Sequence, residues 1–142
     1  MDLIADASAI VAELLRARGR ALLRHPDIAW FATEEIRSEV HHEVVRRIAI
    51  LAQRQQLTTE EATLLAQRTL QLFDDAVRII PQSVYIPLQE AAYLRISDPQ
   101  DWSAIALALV SGAGIWTEDR DFFGVGLPIW STRVLLAHLA RS

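Results

Sequence analysis

Asp98-Pro99-Gln100-Asp101-Trp102-Ser103-Ala104-Ile105-Ala106-Leu107-Ala108-Leu109-Val110-Ser111-Gly112-Ala113-Gly114-Ile115-Trp116-Thr117-Glu118-Asp119 is the stretch from which the fold is read. Asp98 before Pro99 has the form of a helix N-cap followed by a first helical position. The alanine-rich run behind it predicts a helix to Val110. Ser111, Gly112 and Gly114 then break the apolar run, and Gly114 to Thr117 reads as a short, wholly apolar strand. A strand buried on both faces and reached through a helix belongs to a parallel sheet covered by helices.

The same alternation extends to both ends of the chain. Leu3-Ile4-Ala5 predicts a first strand that stops at Asp6, and Ile10, Leu14, Leu15, Ala21 and Leu22 mark one helix over 9–24, closed by Pro26. Ile28 to Ala32 predicts a second strand. Thr33 is a good N-cap, with Glu34 and Glu35 placed to complement the helix dipole, for a long helix to about Gln56. Thr58-Thr59-Glu60-Glu61 opens a second long helix ending near Asp75, so the two form a helical hairpin. Val77 to Ile80 is a third strand stopped by Pro81, and 83–96 reads as helical. Ile129 to Ser131 is a fifth strand, followed by a helix over 132–141. The expected fold is a three-layer α/β/α sandwich around a mostly parallel sheet of about five short strands, one domain spanning 1–142, with the hairpin as its single elaboration.

Composition removes several chemistries. The 142 residues include no cysteine, which excludes disulfides, thiolate catalysis and sulfur-ligated zinc. All fourteen basic residues are arginine, so there is no P-loop lysine, no Schiff base, and no lysine beside an acidic phosphotransfer pocket. No segment reaches the roughly 20 apolar residues of a bilayer span. The N-terminal residues lack the basic-then-apolar pattern of a signal peptide, so a cytoplasmic protein is expected. A net charge of −4 speaks against a simple nucleic-acid clamp while leaving room for a local basic patch.

In open parallel sheets, ligands bind beyond the carboxyl ends of the strands, where strand order reverses. Asp6 and Asp119 follow the first and fourth strands directly. Asp101 opens the helix before the fourth strand, and Glu39 lies about two turns into the helix after the second. Carboxylates converging from four stretches repel one another unless a cation sits among them, and all-oxygen ligation favours Mg²⁺ or Mn²⁺. Each acid also has a plainer reading. Asp6 serves as an N-cap, Asp98 caps the next helix with Asp101 at its third position, Glu39 belongs to a solvated helix face, and Asp119 with Asp121 forms a polar turn. His41 and His42 read as a polar patch on the long helix.

The ordered set resembles the PIN-domain family across essentially the whole chain. Leu3-Ile4-Ala5-Asp6-Ala7-Ser8 is similar to the family's opening strand, and 98–108 to its central aspartate and alanine-rich helix. Trp116-Thr117-Glu118-Asp119-Arg120-Asp121-Phe122 is similar to its last acidic motif, and 35–40 occupies the place of its helical glutamate. The resemblance implies metal-dependent cleavage of RNA, with Asp6, Glu39, Asp101 and Asp119 as metal-binding and catalytic residues. It makes Asp121 an outer member, and Ser8 and Thr117 hydrogen-bond supports of the ligands. Many members are VapC-type toxins, so an antitoxin partner and a homodimer are implied as well. Two features depart from the pattern: the long hairpin, and Trp102 where a small residue is common, either narrowing the site or offering a stacking surface. Arg16, Arg18, Arg20 and Arg24 are candidate contacts to RNA phosphates, or a solvated helix face. A binding module that holds RNA or protein without cutting is the competing functional reading, and a structure-specific DNA nuclease is a further one.

Overall fold

Leu3, Ile4 and Ala5 are completely buried, as a strand covered on both faces must be. They belong to β1 (Asp2–Ala5), the centre of a sheet that also contains β2 (Ala29–Thr33), β3 (Val77–Ile80), β4 (Gly114–Trp116) and β5 (Ile129–Trp130). The computed structural model describes residues 1–142. The strand order is β3-β2-β1-β4-β5, and every pairing is parallel, including the β5 edge. The chain leaves β1 toward β2 on one side and returns to β4 on the other. The sheet's switch point therefore lies between the carboxyl ends of β1 and β4.

Helices flank this sheet. On one side, α1 (Ala7–Glu13) packs against α3 (Glu34–Arg54), and α2 (Ala17–Leu23) and α3 pack against α4 (Thr59–Ala76). Elsewhere α5 (Gln82–Tyr85), α6 (Gln89–Tyr93) and α7 (Trp102–Ser111) pack together, with α7 lying against β1, β2 and β4. The chain closes with α8 (Thr132–Ala140). The hairpin of α3 and α4 forms as its sequence predicts. Thr33 Oγ1 accepts from Ile36 N at 3.0 Å, and Thr58 and Glu61 close a reciprocal capping box. Ile36, Val40, Val44, Ile48 and Ala52 bury one stripe of α3 at four-residue spacing.

Two predicted helices are broken. The run over 9–24 splits into α1 and α2. The chain instead folds back at Leu14 to Arg16. A Cβ on Gly19 would stand 2.0 Å from the Glu13 carbonyl oxygen, so only glycine permits the approach. Glu13 is itself buried and receives Arg18 Nε at 3.0 Å and Nη2 at 2.7 Å, with Arg16 Nη1 at 3.6 Å. The second break falls in 83–96. Pro87 has no amide hydrogen to continue α5, so a 3₁₀ turn over Ile86–Leu88 intervenes before α6.

The tryptophans serve mainly the core. Trp30 and Trp116 meet at 4.9 Å between ring centroids, and both are buried along with Trp102. No helix is long and apolar enough to cross a membrane.

Gly19→Ala should destabilise the chain by about 1–3 kcal/mol, the usual cost of overpacking, because the clash is with backbone that cannot rotate away. A lowered denaturation midpoint with an unchanged slope would show this; an unchanged midpoint would mean that the α1–α2 turn is free to open.

Candidate metal centre

The site begins with the backbone. Asp6 N donates to Trp116 O at 2.9 Å, continuing the β1–β4 ladder one residue past the strand and setting Asp6 beside Thr117. Asp6 occupies the N-cap position of α1, yet its side chain makes no cap hydrogen bond. Its Oδ2 instead accepts from Ser8 Oγ at 2.7 Å and from Thr117 Oγ1 at 2.8 Å. The two hydroxyls lie 3.2 Å apart, and Thr117 Oγ1 also accepts from Asp119 N at 3.0 Å. The two hydroxyl residues hold the Asp6 carboxylate and the Asp119 backbone in one network.

Asp98 does cap, through Oδ1 accepting from Gln100 N at 3.0 Å, but it caps a 3₁₀ turn over Pro99–Asp101 rather than α7. Asp101 is left at the N-cap of α7 with no side-chain cap bond. Its Oδ2 is buried and has no hydrogen-bond partner at all. An unpartnered buried carboxylate oxygen is costly, and it makes Asp101 the most telling residue of the site.

Ligand oxygens of Asp101, Asp119 and Asp121 all lie within 4.8 Å of one another, close enough to share a metal ion. Asp121, exposed at the surface, belongs to this tight group. It is brought in by a 3₁₀ turn over Arg120–Phe122, in which Asp119 Oδ1 accepts from Asp121 N at 2.9 Å. The sequence signal was the Asp119-Arg120-Asp121 spacing, which such a turn folds onto one side. Asp6 and Glu39 lie outside that tight group, but their charges reach it. Glu39 sits on the exposed flank of α3, its pKa raised by partial burial and then by Asp6, Glu43, Asp98 and Asp119.

Sequence reasoning missed two supports. Thr33 Oγ1 and Ser103 Oγ are 2.8 Å apart in a buried contact that ties the end of β2 to the start of α7. Tyr85, fully buried, donates to Glu35 and accepts from Glu34 N at 3.2 Å, while its ring lies 5.6 Å from Trp102. Neither pairing has a sequence signal, since the partners come from separate elements. The arginine cluster divides: Arg16 and Arg18 serve Glu13, and Arg20 and Arg24 line a hollow between α2 and α4 with Arg68, at the far end of α1 from Asp6. His41 pairs with Asp74 at 3.3 Å, where Arg37 also reaches that aspartate, and so fastens the hairpin.

The family model for the PIN domain matches residues 4–140. The chain is a member of the PIN-domain family. No curated protein matches the sequence. Among solved structures, PAE2754 from Pyrobaculum aerophilum superposes with a TM-score of 0.70 at 19% identity, covering 100% of this chain and 91% of that one. FitAcB from Neisseria gonorrhoeae gives 0.55 at 18% identity, covering 90% and 96%. At these identities the likeness is one of fold.

Electrostatics in this PIN domain follow from the crowding. Burial raises the Asp6 carboxyl against the lowering effect of its hydroxyl donors. Burial also raises Asp101, to about 7, with further repulsion from Asp6, Asp119, Asp98 and Glu39. A folded-state value above the unfolded one, about 3.9, means that the stabilising contribution is present below pH 4 and is lost as pH rises through 7.

Without metal, Asp101→Asn should therefore melt at or above wild type at pH 8, with the advantage shrinking toward pH 4. Calorimetry in chelator across that range tests it. A variant less stable than wild type at pH 8 would remove the crowding argument.

Proposed function

We propose that this PIN domain is a Mg²⁺- or Mn²⁺-dependent endoribonuclease that hydrolyses RNA phosphodiester bonds, and that it acts as the toxin of a toxin–antitoxin pair. The observation that carries the reading is the unpartnered, buried Oδ2 of Asp101 among carboxylates with which no arginine or histidine forms an ion pair. A donor set made wholly of carboxylate oxygen suits a hard divalent cation.

Asp101, Asp119 and Asp121 would hold the ion with Asp6, and Glu39 would complete the set or orient a water from the flank of α3. When bound, such an ion lowers the pKa of a coordinated water and offsets charge at the phosphodiester. Ser8 and Thr117 both meet the same oxygen of Asp6, which keeps the carboxylate in one orientation and leaves Oδ1 outside those two bonds. An antitoxin protein and a second copy of the chain are the partners the reading implies.

Asp6→Asn and Asp119→Asn should each lower metal-dependent cleavage of single-stranded RNA by about 100-fold or more with the fold intact. Ser8→Ala and Thr117→Val should cost about 10- to 100-fold, the range for residues that steady a metal ligand. Cleavage assays with Mg²⁺ and with Mn²⁺, beside circular dichroism, separate these outcomes. A wild-type protein inactive with either metal, or aspartate variants as active as wild type, would overturn the proposal.

A further inference from the structure

Trp102 follows Asp101 directly, but its ring is not free to receive a ligand. It is only 9% exposed and lies between Tyr85, at 5.6 Å, and Tyr93, at 6.3 Å. The ring that this stack presents to solvent is Tyr93, 42% exposed. One side of Tyr93 is set by Trp102, and its hydroxyl accepts from Gln89 Nε2 at 3.0 Å, so it is held in place before anything binds.

A second ring lies in the segment that carries Asp119 and Asp121. Phe123 comes two residues after Asp121 and is 61% exposed, although Phe122 and Val125 on either side of it are buried. Its exposure is not that of a loose end. Phe123 N donates to Arg120 O at 3.0 Å, and Arg95 Nη1 donates to Val125 O at 2.9 Å. The arginine that pins this loop is two residues beyond Tyr93, so one hydrogen bond draws the segments bearing both rings together. Arg95 and Arg120 are exposed and have no carboxylate partner.

We propose that Tyr93 and Phe123 form a stacking site for unpaired nucleobases, which grips single-stranded RNA beside the acid cluster while Arg95 and Arg120 meet its phosphates. The proposal rests on the nuclease reading and names how its substrate is held. Flat, pre-positioned aromatic faces with cations on the same segments are what an unstacked base and its backbone require, and duplex RNA cannot use them because its base faces are covered. The acid cluster alone would repel a phosphate chain, so part of the affinity must come from groups indifferent to charge, and these two rings supply that. They also complete the role first considered for Trp102: the stacking surface exists, but one residue layer further out.

The test measures cleavage and binding separately. Phe123→Ala and Tyr93→Leu should each raise KM for single-stranded RNA about tenfold, the worth of one stacked base, with the loss confined to KM and Phe123→Trp restoring it. Fluorescence anisotropy of a labelled single-stranded oligoribonucleotide should show the same tenfold rise in Kd, with duplex of the same sequence binding variant and wild type alike. An unmoved Kd overturns the stacking site, whether or not the wild type cleaves; a protein partner docking on these rings would give that result. Absent cleavage with a shifted Kd would leave the stacking site standing and remove the nuclease reading instead.

Discussion

The site depends on the register between β1 and β4. Ile4 faces Ile115 and Ala5 faces Trp116, and the ladder runs on to the bond from Asp6 N to Trp116 O. That register sets Thr117 against Asp6 across 111 residues of sequence, and Asp119 follows from the amide bonded to Thr117 Oγ1. A slip of one residue would send Ile4 or Ile115, both fully buried, to the opposite face of the sheet and break the packing on each side. Hydrophobic burial of the central strands therefore fixes the positions of the carboxylates, which would not choose one another's company. The acids can be gathered because the core, and not their own interactions, holds them there.

Two acids with buried carboxylate oxygens, Glu13 and Asp101, show what gathering means. Glu13 is as buried as any core residue, and it is answered in full: Arg18 forks onto both its oxygens and Arg16 stands behind. Its charge is neutralised within the fold, which is how a structural carboxylate survives desolvation. Asp101 is treated in the opposite way. It has an oxygen without partner, a pKa pushed up to about 7, and neighbours of its own sign. A chain with fourteen arginines did not lack the means to pair it. Strain of this kind, left unrelieved in one place and relieved in another, marks the place where relief comes from outside the fold.

Much of this was legible in the sequence. Short apolar runs ended by Asp6 or Pro81 could hardly be anything but buried parallel strands, and the caps at Thr33 and Thr58 announced the hairpin. Asp6, Asp101 and Asp119 were legible because the strands carrying or adjoining them were. What the sequence withheld depended on contacts between distant segments. The break after Glu13 arises from a backbone approach to Gly19, and helical periodicity runs through it unaltered. Pro87 was a visible signal that the apolar spacing of 83–96 masked. Asp121 needed the 3₁₀ turn after Asp119 to bring it inward. Composition does not say which way a ring faces, and three of the four tryptophans lie inside.

The bonds that organise the acids are of one chemical kind. Ser8 and Thr117 hold Asp6, Thr117 holds the Asp119 amide, and Thr33 with Ser103 joins the end of β2 to the helix that Asp101 begins. All four are hydroxyls. An arginine in any of these places would have bound its carboxylate more strongly, but it would also have cancelled the charge that the proposed cation requires. A hydroxyl satisfies one lone pair, fixes an orientation and leaves the net charge untouched. The arginine ion pairs of the chain go instead to Glu13, Asp74 and Glu43, none of them in the cluster. Order is imposed on the site by neutral donors, and its negative charge is kept whole for a ligand that carries the opposite sign.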